Sequence, residues 1–491
     1  MTHAEFCDAT HRVAAALAAD GVRIGDRVAV YSPNHPLALA CVVGIIRAGA
    51  VWTAVNAGAG VDEISEFVDS VGCSHLIYHE TLVERASTLI TRLPALKTAV
   101  AIGTGRQEDP TLETWLAPAG ARVLSQHARA NDVVALAGTG GTTGRSKAVP
   151  ITNRQLVLMC LAFNAHLAEG DPPRYICATP MTHAAGALTF PVLAEGGSIV
   201  VHNGVKAADI LASIEANRAT RIFLPPTALY ALLAHPQVRG FDYSSLRHFI
   251  IGAAPIAPDR LTEAVDAFGP VMTEVYGQVE APMICTVLTP GDILDAVSNP
   301  DKRRRLSSCG RPSYVASVEI MDDSGHIVGP EQPGEIVVHS DLVFDGYFHN
   351  DEATEETRRP GGWHGTGDIG LRDEDGFIYV IDRKKDMIIT GGFNVFPSQI
   401  EAVIHGFPEV NDCAVIGVPD EKWGEAVTAV IEPKPGQSVD VDAILAACRD
   451  RLGPVNTPKA ILTRTLPRSA NGKILKRELR DEYWQARDRK V

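Results

Sequence analysis

Cysteine is sparse and scattered in this chain of 491 residues: nine cysteines occur, and no two of them form a C-x-x-C pair. That distribution disfavours a disulfide framework or a thiolate zinc site and favours a reducing compartment. The chain also opens without a basic, apolar and small-residue leader. Its longest apolar stretch, residues 37–55, is interrupted by Arg47 and several glycines, so we expect a buried helix and strand there and no membrane span. These absences predict a soluble, cytoplasmic protein.

Positive charge is in deficit. Lysine and arginine number 45 against 59 acidic residues, a net charge of −14. This balance disfavours nucleic acid and anionic membrane surfaces as partners. Because a single hydrophobic core stops growing at about 250–300 residues, we expect a large body of several subdomains and at least one smaller domain.

Helix and strand patterns alternate from the first residues. Thr2 and Glu5 have the spacing of a capping box, Arg27–Tyr31 alternates like a strand, and residues 36–48 have a helical pattern. The same alternation recurs between residues 207 and 251. Strands separated by helices of this length predict mostly parallel sheets that are covered on both faces. The expected fold class is α/β, with a large N-terminal body of parallel-sheet layers.

The pattern changes near Cys309. Short strands separated by Gly, Pro and Asp turns predict a β-rich subdomain over about residues 309–384. The final 385–491 segment has its own strands and helices and is long enough for a small α+β domain. A charged tract, residues 382–386, separates the two regions. We therefore expect an N-terminal body at residues 1–384 and a C-terminal domain at 385–491, joined at Lys385.

The most distinctive local sequence is Thr-Gly-Gly-Thr-Thr-Gly-Arg-Ser-Lys at residues 139–147. It follows the apolar strand 133–137 and precedes the helix Asn153–His166. Backbone amides and hydroxyls in such a loop can hold phosphate oxygens, and Lys147 would add a positive charge. The loop is neither a Walker A motif nor a G-x-G-x-x-G motif. The alternative is an ordinary surface loop, so the remaining motifs decide between the two.

Two motifs follow predicted strands. Tyr276, Gly277 and Glu280 come after the apolar strand 271–275. Gly-Ala-Ala-Pro at residues 252–255 follows another strand and is small enough for a flat ring to approach the backbone. Parallel-sheet proteins bind ligands at the carboxyl ends of their strands. These positions therefore favour a ligand site, although Tyr276 taken alone could equally be a core residue.

Two further motifs lie closer to the C-terminus. Asp368 ends the sequence Trp-His-Gly-Thr-Gly-Asp and is suited to bind a ribose diol. Lys473 ends a polar loop at residues 467–473. The plain alternatives are a turn aspartate and a solvated lysine.

Taken in order, these motifs resemble the signature motifs of the adenylate-forming superfamily, which includes acyl- and aryl-CoA synthetases, luciferases and the adenylation domains of peptide synthetases. The resemblance extends from Gly25-Asp26-Arg27 to Gly472-Lys473 and is closest to the AMP-forming acyl-CoA synthetases. It implies a small-molecule carboxylic acid, ATP, Mg²⁺ and coenzyme A as substrates and cofactors, and a mobile C-terminal lid. No nucleic-acid partner is implied, and the choice between a monomer and a homodimer stays open.

The resemblance also implies roles for individual residues. The implied phosphate loop contains Thr139, Gly140, Gly141, Thr142, Thr143, Gly144 and Lys147. The implied nucleotide contacts are Gly252, Ala253, Ala254, Tyr276 and Gly277 for adenine, Asp368 and Arg383 for ribose, and Glu280 for magnesium. The implied catalytic positions are Lys473 in adenylation, His183 beside the substrate carboxylate and Lys385 at the hinge. The implied coenzyme A tunnel contains Gly391, Gly392 and Phe393.

Uncharged residues form the expected acyl pocket: Ala184, Ala187, Phe223, Leu224 and Met283. A pocket of this composition selects a hydrophobic tail, whereas the alternative is that these residues are plain core. The sequence departs from the family pattern at three positions: Val279 where threonine is frequent, Ser146 where proline is usual, and Ala148 where glycine is usual.

The expected activity is that of an AMP-forming acid–thiol ligase, which converts a hydrophobic acid and Mg-ATP to acyl-AMP and pyrophosphate and then transfers the acyl group to coenzyme A. Two alternatives stay open: an enzyme that loads a carrier-protein pantetheine, and a non-catalytic nucleotide-binding homologue. Val279 favours the second alternative, and the retained Lys473, Glu280, Asp368 and Arg383 argue against it. An amino-acid selector is disfavoured, because Ala184 stands where such pockets usually have an aspartate.

Overall fold

The structure, a computed structural model, describes residues 1–118, 129–139, 147–468 and 474–484. The chain forms two compact units. The first comprises Met1–Val318, Val338–His364 and Asp373–Ile378, and the second comprises Glu319–Val337, Gly365–Arg372 and Tyr379–Val491. The second unit thus includes two stretches that precede Lys385. The domain boundary at Lys385 stays a prediction.

Two sheets organise the first unit. Their strands are β1 (Arg27–Tyr31), β2 (Val51–Val55), β3 (His75–His79), β4 (Thr98–Ile102), β5 (Val133–Gly138), β6 (Ala148–Thr152), β7 (Arg174–Cys177), β8 (Ser198–Val201), β9 (Arg221–Leu224), β10 (His248–Ile251), β11 (Met272–Tyr276), β12 (Thr286–Leu288) and β13 (Arg311–Pro312). The helices are α1 (His3–Ala19), α2 (Pro36–Arg47), α3 (Val61–Ser70), α4 (Val83–Arg92), α5 (Leu112–Leu116), α6 (Asn153–His166), α7 (Ala184–Ala187), α8 (Thr189–Ala194), α9 (Ala207–Ala216), α10 (Pro226–Leu233), α11 (Pro258–Phe268) and α12 (Pro290–Ser298).

The first sheet has the strand order β4-β3-β1-β2-β5-β6, and its pairs are parallel except for β5 with β6. Side chains of β1 alternate between its two faces. Ala29 and Tyr31 pack on one face against α3 and α4, and Val28 and Val30 pack on the other against α1 and α2. Successive residues of a strand point to opposite faces, so a strand buried on both sides is apolar throughout. The predicted doubly covered parallel sheet is confirmed.

The second sheet has the order β13-β12-β11-β10-β9-β7-β8. Its central pairs, from β8 to β11, are parallel, and β12 and β13 add antiparallel pairs at one edge. In both sheets the carboxyl ends of the parallel strands carry the loops that the motifs occupy. The α/β fold class is confirmed.

The structure corrects two local predictions and excludes one of the plain alternatives. Strand β6 lies between the phosphate-loop segment and α6, so that segment connects the two strands of an antiparallel hairpin. Tyr276 is the last residue of β11 and does not follow the strand. Asp368 lies inside a ten-residue strand and not in a turn. Pro150 in β6 and the glycines in β17 lower the strand propensity of these segments, but pairing with a neighbouring strand outweighs propensity.

The C-terminal part of the chain contains β14 (Ser317–Met321), β15 (Gly334–His339), β16 (Arg358–Arg359), β17 (Trp363–Arg372), β18 (Ile378–Arg383), β19 (Ile388–Thr390), β20 (Phe393–Val395), β21 (Val410–Asp420), β22 (Gly424–Pro433) and β23 (Ala460–Thr463). Its helices are α13 (Asp351–Glu355), α14 (Pro397–Ile404), α15 (Val441–Leu452) and α16 (Lys476–Trp484). A third sheet, most of whose residues lie in the second unit, has the order β14-β15-β17-β16, with β18 paired to β17.

A fourth sheet, of order β20-β19-β22-β21 with β23 beside β22, is the centre of the second unit. Val415 and Val427 contribute to a core shared with α14 and α15, whereas Ala414 and Ile416 pack on the other face with Leu479 of α16. This arrangement matches the small α+β domain that the sequence predicts. None of the helices in the described parts of the chain is long and apolar enough to cross a membrane.

Candidate functional site

The phosphate-loop segment is held at both ends by the β5–β6 hairpin. The Thr139 amide donates to the Lys147 carbonyl oxygen at 3.0 Å, which closes the hairpin at its last described pair. The Lys147 Nζ lies 4.9 Å from the centre of the Tyr347 ring and 3.9 Å from the Glu356 carboxylate. Residues Gly140, Gly141, Thr142, Thr143 and Gly144, together with Ser146, lie outside the described residues. The hairpin therefore fixes the backbone position of Lys147, and the Lys147 ammonium group lies above the face of the Tyr347 ring.

The predicted adenine contacts lie at the carboxyl ends of two adjacent parallel strands. Gly252, Ala253 and Ala254 directly follow β10, and Tyr276 and Gly277 end β11 and begin the next loop. Because β10 pairs with β11 in parallel register, the structure brings these two groups to the same edge of the sheet. Ala253 has a φ of +68°, a left-handed conformation that is uncommon for a residue with a side chain. Ala253 and Ala254 are exposed, so this edge is open to a ligand.

Glu280 is fixed by a tyrosine that the sequence did not indicate. The Tyr347 hydroxyl donates to Glu280 Oε1 at 2.7 Å, and the Phe344 amide donates to the Glu280 carbonyl oxygen at 2.8 Å. Burial first, and then the neighbouring Glu280 carboxylate, raise the pKa of Tyr347, so this tyrosine stays a donor. Since 67 residues separate the two side chains, no short-range pattern in the sequence could have found the pair.

The implied magnesium position is compatible with this geometry. Mg²⁺ is commonly held by one or two protein carboxylates together with substrate phosphates and water. Glu280 presents one such carboxylate, and its hydrogen bond with Tyr347 uses Oε1 and fixes the direction of the group. When bound, the ion would neutralise charge on the phosphate oxygens.

His183 begins α7 as its N-cap residue and is exposed. Its carbonyl oxygen accepts hydrogen bonds from the Gly186 and Ala187 amides at 2.9 and 3.1 Å. Its own amide donates to the Pro180 carbonyl oxygen at 3.1 Å. These bonds set the backbone direction at which the imidazole leaves the turn.

Four of the five predicted acyl-pocket residues share one apolar cluster. Ala184, Ala187 and Met283 are partly buried and pack against a core that includes Phe223 and Ile250. Leu224 is fully buried and lies outside this cluster, because it follows Phe223 on β9 and therefore points to the opposite face of the sheet. The partly buried members Ala184, Ala187 and Met283 therefore place apolar side chains at the edge of this core, and Ala184 directly follows His183.

In the second unit, Asp368 and Arg383 form an ion pair. Arg383 Nε lies 2.6 Å from Asp368 Oδ1, and the Asp368 side chain is nearly buried while that of Arg383 is half exposed. The structure therefore brings together the two residues that the family pattern implies for ribose. A carboxylate offers about four acceptor positions, the type of group that can accept hydrogen bonds from a diol.

The predicted hinge and tunnel residues lie in successive turns of the second unit. Lys385 is in a one-turn 3₁₀ segment, Lys384–Asp386, and its carbonyl oxygen accepts a hydrogen bond from Arg480 Nη1 at 2.6 Å. Gly391 and Gly392 form the turn between β19 and β20, with φ of +58° and +85°, and Phe393 begins β20. Phe393 is 60% exposed, so the tip of this hairpin presents an aromatic ring to solvent.

Lys473 lies outside the described residues, as do its neighbours 469–472. The two flanking residues are placed: Arg468 and Ile474 pair as an antiparallel β-bridge. Arg468 in turn pairs with Asp412 at 2.8 Å. The loop that carries Lys473 therefore starts and ends at one paired position of the second unit.

A cleft of about 640 Å³ elsewhere in the first unit contains none of the predicted site residues among its lining. Arg154, Tyr314, His339, Asp341, Phe344 and Asp345 are among its walls. Arg154 spans it with an ion pair to Asp341 at 2.8 Å. We do not assign it to the candidate site.

The chain is similar to characterised proteins over nearly its whole length. The AMP-binding enzyme family model matches residues 1–348, and the model of the AMP-binding enzyme C-terminal domain matches residues 399–473. A feruloyl-CoA synthase of Amycolatopsis sp is 36% identical over 98% of this chain and 94% of its own. A medium/long-chain-fatty-acid–CoA ligase of Mycobacterium tuberculosis is 35% identical over 100% of this chain and 87% of its own.

Among solved structures, the amide bond synthetase McbA from Marinactinospora thermotolerans superimposes with a TM-score of 0.87 at 30% identity, covering 98% of this chain and 95% of that one. The fold defines a class of α/β proteins that combine mostly parallel sheets with a small α+β unit. The chain belongs to the AMP-binding enzyme family, that is, to the adenylate-forming superfamily. The resemblance found in the sequence is confirmed.

Proposed function

We propose that this protein is an AMP-forming acid–CoA ligase that acts on a hydrophobic carboxylic acid. The observation that carries the proposal is the uncharged cluster of Ala184, Ala187, Phe223 and Met283 beside the His183 turn. Such a surface suits an apolar tail whose carboxylate is bound at one polar end. The relatives named for feruloyl-CoA and for medium- and long-chain fatty acids also take acids with large apolar parts.

The two steps of the proposed reaction, adenylation and thioester formation, require different residues. In the first, a carboxylate oxygen attacks the α-phosphorus of ATP, a new O–P bond forms, and pyrophosphate leaves. Catalysis of phosphoryl transfer depends mainly on positioning and charge stabilisation. Lys147 and Lys473 would supply positive charge, and Glu280, oriented by Tyr347, would hold magnesium. His183 would contact the acid's carboxylate.

In the second step the coenzyme A thiolate attacks the acyl carbon and a C–S bond forms. The bond from that carbon to the bridging oxygen breaks, and AMP leaves with this oxygen and the bonding electron pair. Lys473 has no role once pyrophosphate has gone. We therefore propose that the C-terminal domain pivots at Lys385 and brings the Gly391-Gly392 turn to the reaction centre, where residues without side chains leave room for a pantetheine arm. Free coenzyme A, in preference to a carrier-protein pantetheine, is the proposed acyl acceptor, and Mg²⁺ is the proposed ion.

ATP–pyrophosphate exchange tests the first step directly. Ferulate, cinnamate, octanoate and palmitate would be compared, each with wild-type protein and with Lys473→Ala. We expect exchange with at least one acid and a loss of ~10²–10³-fold in the variant, the range for removing one electrostatic donor. No exchange with any acid would contradict an adenylating activity and favour a non-catalytic homologue.

The acyl acceptor is tested separately with pre-made acyl-AMP. Coenzyme A, a phosphopantetheinylated carrier protein and a primary amine would be offered in parallel, the amine because a similar structure is that of an amide bond synthetase. We expect coenzyme A to be acylated fastest and the Lys473→Ala variant to retain this step. A faster product with the carrier or the amine would replace coenzyme A in the proposal.

A further inference from the structure

Asn34 joins the two sheets of the first unit at their carboxyl edges. It lies between β1 and α2, and its side-chain amide donates to the Thr179 and His202 carbonyl oxygens, at 2.9 Å in each case. The Ala178 carbonyl oxygen is a more distant third partner, at 3.4 Å. Its Oδ1 accepts a hydrogen bond from the Met181 amide at 2.8 Å. One side chain thus binds the loops that follow β7 and β8 of the other sheet.

The loop that Asn34 binds, Thr179–His183, ends at the proposed acid-binding histidine. Beneath it lies a small cavity of about 30 Å³, lined by residues that include Trp52, Thr182 and Gly186. Within the described residues, the buried Trp52 Nε1 and Thr182 Oγ1 have no hydrogen-bond partner. Neither of these two groups therefore forms a hydrogen bond that holds the loop on the side facing the cavity.

Gly186 fixes how closely the first turn of α7 approaches this loop. A Cβ on Gly186 would lie 1.6 Å from the Met181 carbonyl oxygen, so no side chain fits between them. The loop is thus confined by backbone on one side and by the Asn34 carboxamide on another, with a cavity behind it. Removing the carboxamide would let the loop relax toward that space.

We propose that Asn34 is a positioning residue, which sets the location of His183 for the acid-dependent step. The inference rests on the proposed function for the role of His183, and on this structure for the contacts. Only a carboxamide of this length supplies two donors and one acceptor at the same point. A displacement of about 1 Å at a reacting group can cost ~10²-fold in rate.

Kinetics of pyrophosphate exchange provide the first test. We expect Asn34→Ala to lower kcat/KM for the acid by ~10–100-fold while the KM for ATP stays within about 2-fold. Asn34→Asp retains the acceptor but loses both donors, so it should show the same selective loss even if the alanine variant folds poorly. Asn456→Ala removes a comparable bond, from Nδ2 to the Leu452 carbonyl oxygen, in the other unit, and it serves as the control.

A double-mutant cycle with His183→Ala separates positioning from general stability. If Asn34 acts through His183, the two effects on kcat/KM should be far from additive, because the second change removes what the first displaces. Additive losses, or equal losses for acid and ATP, would overturn the assignment.

Hydrogen exchange at the Met181 amide tests the contacts independently of activity. We expect this amide, which donates to Asn34 Oδ1, to exchange at least 10-fold faster in Asn34→Ala than in the wild type, with the global unfolding midpoint measured in parallel. If the wild type activates no acid, the proposed function fails, but faster Met181 exchange still supports anchoring by Asn34. Unchanged exchange at Met181 in the folded variant would overturn the inference whatever the activity.

Discussion

At the scale of single residues, Tyr347 is the clearest contact that orients a predicted site residue. Tyr347→Phe removes only the hydroxyl that donates to Glu280 at 2.7 Å. A hydrogen bond to a charged group is worth ~1.5–3 kcal/mol, so we expect the Mg²⁺ concentration for half-maximal exchange to rise about 10-fold or more. Tyr243→Phe, which loses a bond to the Val238 carbonyl oxygen, serves as the control. An unchanged Mg²⁺ requirement would show that Glu280 needs no such support.

The buried carboxyl of Glu274 predicts that the stability of the folded protein depends on pH. Burial in the middle of β11 raises the pKa of this carboxyl to about 8, from an ordinary value of 4.5, and its Oε2 has no partner among the described residues. Below pH 4.5 both the folded and unfolded states hold the proton. Between pH 4.5 and about pH 8 only the folded state holds this proton. The free energy of unfolding therefore falls as pH rises through this range, by up to about 1.4 kcal/mol per pH unit.

Glu274→Gln keeps the shape and removes this titration. We expect its unfolding midpoint to exceed that of the wild type by a margin that grows from pH 5 to pH 8 and then levels off. Glu374→Gln, at an exposed turn, should show no such trend. A constant margin across this pH range would mean that Glu274 is ionised in the folded protein.

A substitution at Ala187 tests whether this residue lines the proposed acyl pocket. Because Ala187 packs against the cluster that contains Phe223, Ala187→Trp should fill space and shift preference toward smaller acids with little effect on the KM for ATP. One methylene in an apolar pocket is worth ~1–3 kcal/mol, so neighbouring acids should be re-ranked by about 10-fold or more. Val157→Trp, at a half-exposed position on α6, is the control. An unchanged acid profile in a folded variant would remove position 187 from the pocket.

At the scale of elements, the β19–β20 hairpin depends on Gly391 and Gly392. A Cβ at Gly391 would lie 2.8 Å from the Trp423 ring, whereas a Cβ at Gly392 would meet nothing within 4 Å. Both have positive φ, which costs an L-residue ~1–2 kcal/mol. Gly391→Ala should therefore destabilise more than Gly392→Ala, and the difference should vanish in a Trp423→Ala background. Equal losses in the wild-type background would mean that the ring moves aside freely.

Two elements were predicted with the bounds that the structure has. They are the strand Arg27–Tyr31 and the helix Asn153–His166. In these segments, the side chains that pack in the core also have a high propensity for the helix or strand that forms. Strand β6 was not predicted, because Pro150 lowers the strand propensity of this segment, which pairing with β5 nevertheless holds in a strand.

The candidate site shows the same limit. Local motifs singled out Glu280 and Asp368, the family resemblance added Arg383, and the structure pairs the last two at 2.6 Å. Tyr347 and Asn34 were missed, since their partners lie 67 and about 147 residues away and only the folded sheets bring them together. Neither apolar periodicity nor a local motif can reveal a contact between residues that are so far apart in the sequence.

At the scale of the whole molecule, the proposed two-step reaction needs the C-terminal domain to change position between steps. The Lys385 carbonyl oxygen is bound by Arg480 of α16, the helix that follows the Lys473 segment. Lys476, at the start of that helix, pairs with Glu401 at 2.7 Å, and Trp484 Nε1, at its end, donates to the Gly417 carbonyl oxygen at 3.1 Å. The hinge turn and α16 are therefore expected to move together.

Lys385→Pro fixes φ at the hinge and should restrict rotation there. We expect acyl-AMP formation, measured by pyrophosphate exchange, to stay within about 3-fold of the wild type, while acyl transfer to coenzyme A falls by a larger factor, because only the second step requires the new position. Ser438→Pro introduces the same ring into an exposed loop of the second unit and serves as the control. If both half-reactions of Lys385→Pro fall equally with folding intact, Lys385 matters for the adenylating arrangement itself. If neither changes, the chain pivots elsewhere or completes both steps without a rotation at this residue.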